Sequence, residues 1–122
     1  MRDQDALLIL KDLLSEINKL YLPWKRWKRA QKPDVKSTRK VIEKKNCPHR
    51  FFLEIIHLDK NIISDITKEK LSAYSDNAIL IAMLKMYTLL GIMQKDLGCY
   101  DSDQMHGFFE QTVDFFKKYI WE

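Results

Sequence analysis

The residues best equipped for chemistry cluster in positions 20–51, "LYLPWKRWKRAQKPDVKSTRKVIEKKNCPHRF". Between positions 19 and 45, eleven Lys and Arg are opposed only by Asp34 and Glu43, a net of +9. The whole chain carries +4, so the remainder carries −5. A basic block on a mildly acidic body points to an anionic partner more directly than a uniform +4 does. Lys25, Arg26, Lys28, Arg29, Lys32, Lys36, Arg39, Lys40, Lys44, Lys45 and Arg50 can contact phosphates, and Trp24 and Trp27 among them can stack on bases or hold cations over their rings. The plainer alternative is a solvated face with Trp24 packed inside. A charge of +9 in so short a stretch exceeds what solubility requires. No groove-reading motif accompanies the block, so contact with phosphate rather than base-specific readout is expected.

Other chemistry is sparse. Cys47, His49, His57 and Cys99 do not reproduce zinc-site spacing, because Cys-Pro-His is not C-x2-C and the remaining two are scattered. Separate core or surface roles are expected for them, with no metal and no cofactor. No nucleophile motif, phosphate loop or paired-carboxylate signature is present, so no enzymatic activity is expected. Arg50 and His57 form R-x6-H in "RFFLEIIH", which resembles the motif of HEPN-type ribonucleases. Phe51 departs from the polar residue usual after that Arg. The preferred reading is a cation at a helix start and a partly buried imidazole.

These residues need a scaffold, and 122 residues with 46% hydrophobic and 31% charged content suit one globular domain. Three Gly and three Pro build few turns, which favours long helices. Two lone cysteines and an N-terminus without a signal-peptide layout lead to the expectation of a soluble cytoplasmic protein. The longest apolar run, 78–93, falls short of the ~20 residues of a membrane span and is interrupted by Lys85, so no membrane association is expected.

Four helical patterns are visible, and nothing reads as a strand. The first places Leu7, Leu10, Leu14, Ile17, Leu20 and Tyr21 on one face. Pro23 ends or kinks it, and "WKRWKRAQ" adds a further turn or two. Positions 27–46 form a basic loop or short helix. Pro48 opens the second pattern, with Phe52, Ile55, Ile56, Ile62, Ile63 and Ile66. Ser75 or Asp76 caps the third, which carries Ile79, Leu80, Met83, Met86, Tyr87, Leu90 and Met93 and ends at Gly98 in the left-handed C′ position. Asp101 or Ser102 caps the fourth, with Gln104 placed for a capping box and a stripe of Met105, Phe108, Phe109, Val113, Phe116 and Ile120. Leu14, Ile17, Ile55, Ile63, Met83, Leu90, Phe109 and Phe116 are expected in the core. Phe115, Tyr119 and Trp121 lie off the main stripe and are expected to bury a second surface between copies of the chain.

The order of these pieces resembles the four-helix-bundle family of the accessory variability determinant of diversity-generating retroelements, to which proteins of 23S ribosomal RNA intervening sequences are related. The resembling features are "LYLP" closing the first helix, "PHRF" opening the second, "SDNAIL" starting the third, "KDLG" closing it, and "SDQM" leading into a last helix that ends at Trp121. The likeness covers most of 48–122 and the first helix weakly. Positions 27–46 are inserted relative to the family's short link. The resemblance implies an antiparallel four-helix bundle with a proline-kinked first helix. It also implies a basic ring, commonly pentameric, that binds a reverse transcriptase and its RNA or DNA without being the catalyst. A rival is a protein-interaction module of the immunity type, its basic block meeting an acidic partner; another is a ribonuclease using Arg50 and His57.

Overall fold

A computed structural model describes residues 2–31 and 71–121, and within them the chain is all-helical: α1 (Arg2–Ala30), α2 (Asp76–Asp96) and α3 (Ser102–Tyr119). The second helical pattern, including Ile55 and Ile63, and most of the basic insertion lie outside the described residues.

In α1, Ala6, Ile9, Leu10, Leu13, Leu14 and Ile17 recur at 3–4 spacing and are buried, with Leu7, Leu20 and Tyr21 packed against their edge. Asp3 and Asp5 in the first turn and Lys28 and Arg29 in the last oppose the helix dipole. The helix does not end at Pro23; it runs through it to Ala30. An interior proline costs about 3 kcal/mol and leaves one carbonyl without its donor. The turns beyond it are tied to the body through Trp24, whose indole N–H donates to the Asp96 carboxylate at 2.9 Å.

Local chemistry sets the ends of the other two helices. Ser75 caps α2, its hydroxyl accepting from the Ala78 N–H. Gly98 takes φ +72°, and the Gly98 and Cys99 N–H groups reach back to the carbonyls of Lys95 and Gln94, a Schellman closure. Asp101 caps α3 by accepting from the Gln104 N–H. The expected capping box is only half formed. The Gln104 side chain does not return to the cap; its amide donates to Glu16 of α1 at 2.7 Å and its oxygen accepts from buried Gln94 at 2.6 Å. Gln94 in turn accepts the Asp101 N–H, so one chain of amides and a carboxylate joins all three helices.

Side-chain pairs fix the directions. The Arg2 guanidinium holds the Leu71 and Tyr74 carbonyls and the Asp76 carboxylate, while Trp24 meets Asp96, so α1 and α2 run parallel. Asp5 binds Lys118 and Tyr119 and Glu16 binds Gln104, so α3 runs antiparallel to α1. Gln94 with Gln104, and Tyr87 with Phe109, set α3 antiparallel to α2. The core is Leu10, Leu13 and Leu14 against Ile79, Met83, Met86, Leu90 and Met93, closed by Met105, Phe108 and Phe115. By length and composition α2 is apolar enough to cross a membrane, its helical span exceeding the apolar run in its sequence. Met83, Met86, Leu90 and Met93 here pack in the core shared with α1 and α3, while Ile81, Leu84 and Ile92 are exposed.

The expected face of α3 requires correction. Phe108 and Phe115 are buried, whereas Phe109 is 47% exposed and Phe116 is half-buried. The buried stripe is Met105, Phe108, Thr112 and Phe115. Thr112 can sit inside because its hydroxyl donates to the Phe108 carbonyl at 2.9 Å. Two of the residues assigned to a surface between copies are therefore used within the chain: Phe115 is in the core, and the Tyr119 hydroxyl donates to Asp5. Trp121 alone of that trio is exposed, its ring 6.0 Å from that of Phe116.

Candidate nucleic-acid interface

The C-terminal third of α1 carries the described part of the basic block. Helical spacing turns Lys25, Arg26 and Arg29 outward, and all three are exposed. Lys28 leans back, its ammonium 4.7 Å from the centre of the Trp24 ring, and Lys25 lies 5.7 Å from that of Tyr21. Among the described residues, none of these four cations is paired with a carboxylate. Lys19, by contrast, is neutralised by Glu16 at 3.0 Å.

The helix dipole explains part of this arrangement. Cations in a last turn gain about 0.3–1 kcal/mol from the unpaired carbonyls there. That accounts for Lys28 and Arg29. Lys25 and Arg26 lie a turn earlier and point to water.

The two tryptophans have different roles. Trp24 is half-buried, with its N–H engaged by Asp96 and its ring covered by Lys28, so it anchors the helix end to α2. Trp27 is half-buried on the flank between core and solvent and remains the candidate for stacking within the block. The preferred sequence reading placed both among the binding residues and only its plainer alternative packed Trp24 inside; the Asp96 that distinguishes them lies on another helix.

The remaining site candidates, Lys32, Lys36, Arg39, Lys40, Lys44, Lys45 and Arg50, lie outside the described residues, as do Cys47, His49 and His57. Cys99 is exposed in the α2–α3 turn. A shallow groove between α1 and α3 is lined by Asp12, Ser15, Glu16, Gln104, Gly107 and Gln111 among others. Its Glu16 and Gln104 are already engaged with each other and with Lys19 and Gln94, which leaves it the weaker candidate. No family model, no curated protein and no solved structure matches the chain, so the cationic end of α1 is described by its own geometry alone.

Proposed function

We propose that this chain is a non-catalytic nucleic-acid-binding accessory protein that serves a reverse transcriptase of the diversity-generating retroelement type, in the cytoplasm and as a homo-oligomer. The observation that carries the binding part of this reading is the outward row Lys25, Arg26 and Arg29, exposed and unpaired with carboxylates among the described residues. Unpaired cations at one end of a rigid helix are preorganised for phosphates and release condensed counterions on binding. The polymerase and the pentameric ring rest on the family resemblance of the ordered sequence elements. Self-association also draws support from Ile81, Leu84 and Ile92 on α2 and from Trp121, all large, apolar and exposed.

The finer architecture proposed is a four-helix bundle with a kink at Pro23 and a helix over about 48–66. The described ends support it. α1 delivers the chain at Gln31, at the Trp24–Asp96 end, and the chain resumes at Leu71 beside Arg2, at the opposite end. A returning helix between them makes an up-down-up-down order with α1, α2 and α3.

The test is binding of labelled single-stranded and duplex RNA and DNA to the purified chain at low salt, with the RNA checked for cleavage. Binding without cleavage is expected. Absence of binding, with and without a polymerase encoded beside the gene, contradicts the reading. RNA cleavage that disappears in His57→Ala replaces it with the ribonuclease reading, and salt-insensitive binding to a protein alone replaces it with the interaction module.

A further inference from the structure

The basic row on α1 does not stand alone in space. Because α1 and α2 are parallel and joined at their C-terminal ends by the Trp24–Asp96 hydrogen bond, the α2–α3 turn lies at the same end of the molecule as the cations of α1. That turn presents Lys95 and Tyr100, both exposed. The Lys95 ammonium sits 5.2 Å from the centre of the Tyr100 ring, a further cation–aromatic pair at the end that holds Lys25 on Tyr21 and Lys28 on Trp24. Tyr100 is 47% exposed, and among the described residues its hydroxyl has no hydrogen-bond partner, so within the described fold its ring meets Lys95 and otherwise faces solvent.

We propose that the α2–α3 turn continues the nucleic-acid surface of α1, with Lys95 contacting a phosphate and Tyr100 providing the platform on which an unpaired base stacks. The ligand class is single-stranded RNA or DNA. The inference rests on the nucleic-acid reading above and extends it to residues that the basic block does not contain. Trp24 is less suited to this role, since it is half-buried and its N–H is held by Asp96. Tyr100 has an accessible ring, a cation beside it, and a fixed position given by the Schellman closure at Gly98. The nearby carboxylates set the limit of the surface. Asp96 accepts from Trp24, while Asp101 and Asp103, both exposed at the start of α3, bound the proposed surface on that side.

The experiment compares Tyr100→Ala, Tyr100→Phe and Lys95→Gln with the full-length protein, by fluorescence anisotropy on single-stranded and duplex oligonucleotides across a salt series. Loss of a stacked base weakens binding by about fivefold to 150-fold. Tyr100→Ala is therefore expected to lose that much on single strands and to change duplex binding by less than about twofold. Tyr100→Phe keeps the ring and should bind as the wild type does. Lys95→Gln should reduce the salt slope on single strands by about 0.7. Both positions are exposed, so circular dichroism is expected to be unchanged. Wild-type binding with Tyr100→Ala and Lys95→Gln indistinguishable from it overturns this inference and leaves the nucleic-acid reading standing. Absence of wild-type binding, with and without the polymerase encoded beside the gene, overturns both.

Discussion

Trp24, set among the cations of α1, is held by Asp96 of α2, and its replacement gives a quantitative test. Trp24→Phe keeps most of the ring and removes the N–H that meets Asp96 at 2.9 Å. A hydrogen bond to a charged group contributes about 1.5–3 kcal/mol when buried. Both partners here are half-buried, so solvent screening reduces the figure to about 1 kcal/mol. Trp24→Ala also removes packing. Full burial would make that about 3–5 kcal/mol, and half burial roughly 2. Urea titrations of the wild type, Trp24→Phe, Asp96→Asn and the double variant, followed by circular dichroism, measure the coupling directly. About 1 kcal/mol of non-additivity is expected. Strictly additive losses would refute the anchoring role. Trp24→Leu, which has no ring to stack, should hold single-stranded RNA within about threefold of the wild type, whereas a loss of about tenfold or more would return Trp24 to the binding surface.

Other consequences are more local. Leu90 is fully buried between the helices, so Leu90→Ala should lower unfolding free energy by about 2–5 kcal/mol, and a loss under about half a kcal/mol would contradict the packing. Gly107 lies inside α3 with open space where a Cβ would go, so Gly107→Ala should raise stability by about 0.5–1 kcal/mol; destabilisation would show that another surface approaches there. The Tyr119 hydroxyl and the Lys118 ammonium together hold the Asp5 carboxyl below its ordinary value. A lowered folded-state value means that this stabilisation is present above the unfolded carboxylate range and is lost as pH falls through the folded value. Tyr119→Phe should therefore shrink the drop in melting temperature between about pH 6 and pH 2, and an identical acid limb in the two proteins would contradict the contact.

Much of the local structure was legible because its causes are local. The Ser75 cap, the Asp101 cap and Gly98 at C′ each follow from the residue and its immediate neighbours. The core of α1 and α2 followed from spacing, with Leu14, Ile17, Met83 and Leu90 buried as expected. The face of α3 was not legible. Phe108–Phe109 and Phe115–Phe116 are two adjacent pairs with the same helical spacing, so two stripes are equally apolar, and Val113 favours the wrong one over Thr112. The choice is made by contacts that sequence does not show: the Thr112 hydroxyl on the Phe108 carbonyl and Tyr119 reaching across to Asp5. The same holds at the binding end. A string of cations with two tryptophans announced a charged surface, but the separation of Trp24 as anchor from Trp27 as flank depends on Asp96, far along the chain. Tyr100 carried no signal at all until the parallel packing of α1 and α2 brought its turn to the same end as the cations.

The central claim is that the end of α1 tracks a phosphate backbone, and the dependence of binding on salt tests it most directly. Replacing Lys25, Arg26, Lys28 and Arg29 with Gln leaves the buried face of α1 untouched. The logarithm of the binding constant should fall linearly with the logarithm of salt concentration for the wild type. In the quadruple variant the slope should shrink by about 0.7–0.9 for each phosphate that is no longer neutralised, roughly 2–3 for the three outward cations. Affinity should drop to a similar extent across unrelated sequences, since phosphate contacts carry no direct sequence information. An unchanged slope in a variant whose circular dichroism matches the wild type would contradict the account.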